Sequence, residues 1–290
     1  MSKIAEKWRA FREWQERPYE VAPMSEERHC CMTCSTEFQG NYCPRCGQSS
    51  RIGRYSFKNA FLLFLDVWGL GNRSMFRTLR DLMFRPGYMI RDYLSGMQMA
   101  YFPPFKLFFL LMALSLMVES GFNITGQNYF ETSRELVLKG FSDSMDESAP
   151  QDAEMQQINQ ASKERGLMVL EYAHRFPSVT VLLFVCVMSG ILYIFFRKSP
   201  NIPNLRFSEL LVALVYTTDM FSIYSILMEF FGVNLTLQSL AMLLPIIPLK
   251  QMSGFSWWKI LLIMLVLGVA LIIVFAMIGV VISFYAIATQ

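Results

Sequence analysis

Residues 260 to 286 contain no charged side chain, and this long apolar run is the strongest constraint on the fold. A helix needs about 20 such residues to cross the hydrocarbon core of a bilayer. The composition agrees, because 53% of the residues are hydrophobic and only 17% are charged, whereas soluble proteins carry about 25% charged residues. The sequence therefore predicts an all-α integral membrane protein.

Further apolar runs bring the prediction to about five transmembrane helices. They cover residues 104–121, 176–196, 207–231, 233–249 and 260–286. The fourth run is the shortest and contains Pro245 and Pro248. It can be interpreted either as a short span or as a re-entrant hairpin.

The distribution of charge predicts the orientation of these helices. Of the 26 Lys and Arg residues, 16 lie at or before Lys106, whereas ten of the 23 acidic residues lie between Glu119 and Glu171. Basic segments stay in the cytoplasm, so the N-terminus is expected inside and an acidic loop, residues 122–175, outside. Lys250 and Lys259 reach the cytoplasm only if residues 233–249 cross the membrane, which favours five spans.

Four segments follow from this reading. They are an N-terminal amphipathic helix (1–29), a zinc ribbon (30–50), cytoplasmic or interfacial helices (51–103) and a transmembrane domain (104–290). In the first segment Trp8 and Trp14 share an aromatic face flanked by basic residues, which is typical of a helix on an anionic membrane surface. Packing of that face on the protein itself is the alternative. A second amphipathic helix carries Arg73, Arg77 and Arg80 on its basic face.

Two CxxC pairs predict a metal site in the head. Cys31 and Cys34 form one pair, and Cys43 and Cys46 form the other, eight residues later. Four thiolates on two tight turns make a tetrahedral site that zinc prefers, and such a closed site is structural rather than catalytic. Cys30 or His29 can replace Cys31 as a ligand, although the paired spacing favours Cys31.

The zinc knuckle offers only Arg45 as a basic group, so a nucleic-acid partner is not expected.

The third predicted span carries an unusual polar face. Thr218, Ser222, Ser225 and Glu229 recur at helical spacing, and Asp219 borders them near mid-membrane. A charge at that depth is costly, so Asp219 is expected to face the bundle interior. The stripe is interpreted either as helix–helix adhesion through hydrogen bonds or as a path for a proton, a cation or a polar ligand.

Catalytic motifs are not evident in the sequence. It contains only two histidines, His29 and His174, and no HExxH, GxSxG or P-loop pattern. The sequence therefore favours a non-enzymatic role, and a lipid-modifying enzyme is kept only as a minor alternative.

Three stretches carry a family resemblance: "GNYCPRCGQ", "TLRDLMFRPGYMIRDYLSG" and "YFPPFKLFFLLMALSLMV". They resemble an uncharacterised family of bacterial membrane proteins that has an N-terminal YCxxCGQ zinc ribbon and a helical membrane domain. The resemblance covers about residues 30 to 120. The family usually has a Lys-Arg pair after the glycine matched to Gly96, where this chain has Met97 and Gln98. The resemblance implies a topology and the inner membrane of a bacterium, but no activity.

Two functions compete on this evidence. The first is a membrane adaptor or assembly protein whose zinc-bound cytoplasmic head docks a protein partner. The second is a small transporter or channel that uses Asp219 and the Thr218, Ser222 and Ser225 face. The oligomeric state and the identity of any substrate are left open by the sequence.

Overall fold

The computed structural model describes residues 3–20, 23–24, 26–48, 50, 73–121, 129–147, 153–231 and 240–288. The chain divides into two compact units, an N-terminal unit Met1–Arg77 and a C-terminal unit Thr78–Gln290. The described residues are mostly helical, with one short β-hairpin. This result confirms the mostly helical part of the predicted fold class.

The N-terminal unit contains one helix and the hairpin. Helix α1, Lys3–Glu16, has no buried residue, and the rings of Trp8, Phe11 and Trp14 follow one another at centroid distances of 6.1 and 5.8 Å. Strands β1, Arg28–Cys30, and β2, Glu37–Gln39, pair antiparallel. The aromatic side chains therefore lie along one face of α1, and none of them is fully buried.

The C-terminal unit is built from helices. Helix α2 crosses the boundary between the two units, and the remaining elements follow it in chain order. The elements are α2 (Arg73–Phe84), α3 (Pro86–Leu94), a 3₁₀ turn (Gln98–Ala100), α4 (Pro104–Gly121), α5 (Tyr129–Glu147), α6 (Ala153–Arg175), α7 (Pro177–Phe196), α8 (Phe207–Phe230), a second 3₁₀ turn (Ala241–Leu243), α9 (Ile246–Ser253) and α10 (Trp257–Ala288).

Among the residues that the structure describes, three stretches of helix are long and apolar enough to cross a membrane. They are Gln98–Val118, Pro177–Phe196 and Phe207–Met228, which correspond to the first three predicted spans. Helix α10 begins with a shorter apolar stretch, Trp257–Leu271, and continues to Ala288, a length of 32 residues or about 48 Å. These helices identify the chain as a candidate membrane protein.

Helix α8 lies at the centre of the C-terminal unit. It packs against α4, α7 and α3, and it contributes a series of fully or almost fully buried side chains. They are Leu210, Ala213, Val215, Tyr216 and Met220. Because the other helices cover α8 on several sides, two of its polar residues, Thr217 and Asp219, are buried inside protein.

The acidic segment is more ordered than a loop. Residues 122–175 were expected to connect two spans as a polar loop, but α5 and α6 form an antiparallel helical hairpin there. Ion pairs join Arg134 to Glu171 and Lys163 to Asp146 across it. Gly166 permits the close packing, because a Cβ atom there would lie 2.3 Å from the Phe141 ring.

The fourth predicted span is divided. Residues 232–239 lie outside the described part of the chain, and the rest of the run consists of a 3₁₀ turn followed by α9, a helix of eight residues. Such a helix rises only about 12 Å, which is less than the thickness of a bilayer core. A membrane crossing at residues 233–249 therefore stays a prediction. The described part of this run does not form one continuous helix that could span the bilayer.

Gly87 on α3 provides a test of the packing between α3 and α9. A Cβ atom at this position would lie 2.4 Å from the Gln251 Cβ and 2.5 Å from the Pro248 carbonyl oxygen. We expect Gly87→Ala to lower the stability of the purified protein by about 2 kcal/mol because overpacking forces the two helices apart. Thermal unfolding in detergent measures this change. The control is Gly140→Ala, since Gly140 has no neighbour within 4 Å of the added carbon, and equal melting temperatures for the two variants would contradict the expectation.

Candidate metal centre and buried polar groups

The four predicted cysteines come together on two similar turns. In the first turn the Ser35 amide donates to the Cys31 carbonyl, and in the second the Gly47 amide donates to the Cys43 carbonyl. Ser35 and Gly47 both adopt a positive φ, of 55° and 75°. Each turn therefore reverses the chain directly after its second cysteine, which points both thiols of a pair to the same side.

The distances between the thiols suit a metal ion. All four Sγ atoms lie within 4.8 Å of one another, and the closest pairs are 3.4 Å (Cys31–Cys46), 3.5 Å (Cys34–Cys43) and 3.6 Å (Cys34–Cys46). Tetrahedral zinc with Zn–S bonds of about 2.3 Å would hold its sulfur ligands about 3.8 Å apart. The same distances are too long for a disulfide, whose S–S bond is about 2.05 Å. The four cysteines form a metal-compatible cluster, and the geometry alone does not name the metal.

The structure also addresses the alternative ligands. Cys31 is almost completely buried and belongs to the cluster, whereas Cys30 is exposed and does not. His29 packs its ring against Phe38, with the centroids 5.7 Å apart. The thiol set of the cluster is therefore the one that the paired spacing favours.

Neighbouring polar groups stabilise the thiolate of Cys34. The Thr36 hydroxyl lies 3.3 Å from the Cys34 Sγ, and this hydroxyl together with the Thr36 backbone amide lowers the pKa of the Cys34 thiol to about 6. A thiolate is the form that binds a metal ion. The Gln48 side-chain oxygen lies 3.4 Å from the Cys31 Sγ and also bonds to the Thr33 hydroxyl, so it ties the two turns together.

Metal content tests this centre directly. We expect one metal ion per chain in the wild type, and we expect Cys31→Ser to lose it because three thiolates bind more weakly than four. Cys30→Ser is the matched control and should keep the ion. Elemental analysis of the purified protein measures the stoichiometry. A metal-free wild type, or loss of the metal from the Cys30→Ser protein alone, would show that the ligand set is wrong.

A second group of polar side chains lies buried where the chain approaches α4. The Arg85 guanidinium pairs with the Asp92 carboxylate, and the Tyr101 hydroxyl lies 3.3 Å from Asp92 and 3.5 Å from Asp81. All four side chains are buried. Burial raises the pKa of Asp92, and the positive charge of Arg85 opposes that shift. This buried ion cluster fastens α2, α3 and the start of the first membrane helix to one another.

The buried ion cluster was not predicted from the sequence. The sequence predicts only cytoplasmic or interfacial helices over residues 51–103. The structure buries Tyr101 and Phe102 at the end of this segment. One signal was available, since Asp81 and Arg85 are spaced four residues apart, as a pair on one helical face would be.

The backbone at Phe102 is held from two sides. The Thr78 hydroxyl accepts a hydrogen bond from the Phe102 amide at 2.8 Å, and the Tyr216 hydroxyl donates to the Phe102 carbonyl at 2.6 Å. Pro103 and Pro104 follow directly and lack amide hydrogens. Thr78 on α2 and Tyr216 on α8 therefore satisfy the amide and the carbonyl of Phe102, where the prolines interrupt the hydrogen bonds of a regular helix.

Asp219 is a completely buried carboxyl group of α8. Its exposure is 0%, and neither carboxyl oxygen has a hydrogen-bond partner among the described residues. Several polar residues that could have bonded to it use their hydroxyls on their own helices: Thr218 bonds to the Leu214 carbonyl and Ser189 to the Val185 carbonyl. Asp219 therefore faces the interior as predicted, but it is not bonded to these hydroxyls.

The rest of the predicted polar stripe is less enclosed. Ser222 and Ser225 are half-buried, and the side chain of Glu229 lies outside the described part of the structure.

Among the predicted membrane-surface residues, Trp8 is exposed and Trp14 is half-buried. Arg77 stacks over the Tyr19 ring at 3.7 Å, and Arg80 forms an ion pair with Asp81 at 2.7 Å. The side chain of Arg73 is not described.

Comparison with known proteins gives one match. Residues 73–116 match the model of a family described as a protein of unknown function (DUF3667). This segment contains the whole buried ion cluster but none of the four clustered cysteines. No curated protein and no solved structure matches the chain. The matched segment overlaps the second and third of the three stretches that carry the family resemblance, residues 78–96 and 101–118. The match assigns no activity.

The buried ion cluster gives a further prediction. We expect Arg85→Met to destabilise the protein by about 3–5 kcal/mol, because it leaves the Asp92 carboxylate buried without its partner. The double variant Arg85→Met with Asp92→Leu should recover much of that loss, since it removes both charges. Thermal unfolding in detergent of the wild type, the two single variants Arg85→Met and Asp92→Leu, and the double variant measures the coupling. Strictly additive effects of the two substitutions would contradict the pairing.

Proposed function

We propose that this chain is a non-enzymatic integral membrane protein whose head binds a structural zinc ion and docks a protein partner. The observation that carries the proposal is the set of four clustered thiols. With all four coordination positions taken by cysteine, zinc has no open position for substrate, and it acts by folding the segment that holds it. The hairpin is small, and its described core consists of Cys31, Phe38 and Cys43 packed with Cys34.

Exposed nonpolar side chains on the N-terminal unit support a docking role. Met32 on the first turn is 87% exposed and Tyr42 beside the second is 67% exposed. Ile4 and Trp8 on α1 are also exposed. Aromatic residues and methionine are enriched in protein interfaces, so these side chains are a reasonable contact surface. The basic N-terminal sequence supports a cytoplasmic location for the head, and the family resemblance supports the inner membrane of a bacterium.

Site-specific crosslinking in cells tests the docking proposal. A photoreactive amino acid at Tyr42 should yield one discrete protein adduct, and the adduct should disappear in the Cys34→Ser background because the head no longer folds. The control position is Met99, which is exposed in the C-terminal unit. If Tyr42 gives no protein adduct while the zinc content is normal, the metal site stands and the adaptor role is wrong.

A small transporter or channel is the second candidate, and Asp219 is the observation that favours it. A carboxyl group without a described hydrogen-bond partner inside a membrane helix is costly to keep, and such groups commonly mark proton or cation paths. The divided segment at 240–253 adds support, because broken helices at membrane depth often line cavities. The face formed by Thr218, Ser222 and Ser225 would supply the remaining polar contacts of such a path.

Flux in proteoliposomes tests this second candidate. Protons, sodium and potassium are each measured for the wild type, for Asp219→Asn and for the control Glu209→Gln at the start of α8. A transporter that uses Asp219 should lose flux in Asp219→Asn and retain it in Glu209→Gln. If wild-type flux is present and unchanged in Asp219→Asn, the proposed path is wrong, and if the wild type has no flux the transport function is wrong.

A further inference from the structure

Five basic side chains gather where three apolar helices of the C-terminal unit begin or end. Helix α7 ends at Phe196, α8 begins at Phe207 and α10 begins at Trp257. The basic residues are all the Lys and Arg residues after position 176, and we call them the basic end. They are Arg197, Lys198, Arg206, Lys250 and Lys259.

Direct contacts join the two chain segments that carry the basic end. The Asn201 amide donates to the Ser253 carbonyl at 3.2 Å, and the rings of Phe196 and Phe255 lie 5.6 Å apart. Gly254 has a φ of +75°, and a Cβ atom there would lie 2.6 Å from the Asn201 side-chain oxygen. Residues 197–206 and 250–259 therefore form one continuous surface, although about 50 residues separate them in sequence.

The charges of this surface are available to a ligand. Lys250 is half-buried and the other four basic residues are exposed, and within the described chain none of the five forms a salt bridge. Only three acidic residues follow position 176: Glu209, Asp219 and Glu229. The Glu209 carboxylate accepts a hydrogen bond from the Arg206 amide, and Asp219 is buried inside α8. The surface therefore keeps a strong positive charge.

Exposed aromatic rings stand among these charges. Trp258 is 83% exposed, and Trp257 and Phe207 are also exposed. The Lys250 ammonium lies 5.0 Å from the centre of the Trp257 ring, and the Lys259 ammonium lies 3.7 Å from the centre of the Phe255 ring. Tryptophan prefers the boundary between the hydrocarbon core and water, and the ends of the apolar helices place this surface at that boundary.

We propose that the basic end binds the anionic headgroup of a membrane phospholipid. Clustered Lys and Arg side chains at the membrane boundary attract the phosphate groups of anionic lipids, while the tryptophan rings insert between the headgroups. A lipid fits better than a soluble acidic partner, because the charges alternate with exposed aromatic rings where α7, α8 and α10 meet the boundary. The site goes beyond the adaptor role, since it involves neither the zinc centre nor the head.

Native mass spectrometry of the full-length protein in detergent tests the proposal. The probes are phosphatidylglycerol, which is anionic, and phosphatidylcholine, which is zwitterionic. The wild type should retain phosphatidylglycerol preferentially. Neutralising Lys250 and Lys259 together, as Lys250→Gln with Lys259→Gln, should weaken that retention about fivefold for each charge removed, or about 25-fold.

Two control variants make the result specific. Lys250→Arg with Lys259→Arg keeps both charges and should bind as the wild type does, which separates loss of charge from loss of folding. Lys139→Gln with Lys163→Gln removes two charges from α5 and α6 and should leave binding unchanged. The proposal is overturned if the wild type retains both lipids equally, if the glutamine variant of the basic end binds normally, or if inorganic phosphate displaces the lipid at the same concentration. Zinc content and the Tyr42 crosslink are measured separately, so failure here does not bear on the adaptor role.

Discussion

The hydrogen bond from Tyr216 to the Phe102 carbonyl connects the central helix to the point where the chain enters its first membrane helix. Pro103 disfavours the helical conformation of the residue before it, so the amide and the carbonyl of Phe102 lie outside a regular helix. An unpaired backbone carbonyl in an apolar setting is costly. Tyr216 on α8 removes that cost for the carbonyl, and Thr78 on α2 removes it for the amide. These two bonds fasten the start of α4 to α8 and α2.

The buried ion cluster continues the same connection toward α3. Tyr101, the residue before Phe102, reaches both Asp81 and Asp92, and Arg85 supplies the positive charge between the helices. Buried ion pairs add little net stability, but they are strongly destabilising when one partner is removed. A cluster of this kind therefore specifies how α2, α3 and α4 fit together. The whole cluster lies within residues 73–116, the segment that matches the family model.

The two units rely on different sources of stability. Among the described residues, the core beside the hairpin consists of three buried side chains, two of which are cysteines. A metal ion would supply folding free energy that so small a core lacks. The C-terminal unit instead buries long apolar side chains around α8. If the head docks a partner, metal loss would abolish docking and leave the membrane helices folded.

The sequence by itself determined three of the five predicted spans as candidate membrane helices, the aromatic face of α1 and the four clustered thiols, because each depends on local spacing. An apolar run needs only its length to define a span, and two CxxC pairs need only tight turns. Tertiary structure decided the rest: the burial of Asp81, Arg85, Asp92 and Tyr101, the helical hairpin at 129–175, and the joining of residues 197–206 to 250–259 into a basic end. These arrangements depend on contacts between different elements, such as Tyr101 with Asp81 and Asn201 with Ser253, and periodicity within one segment carries no information about such contacts.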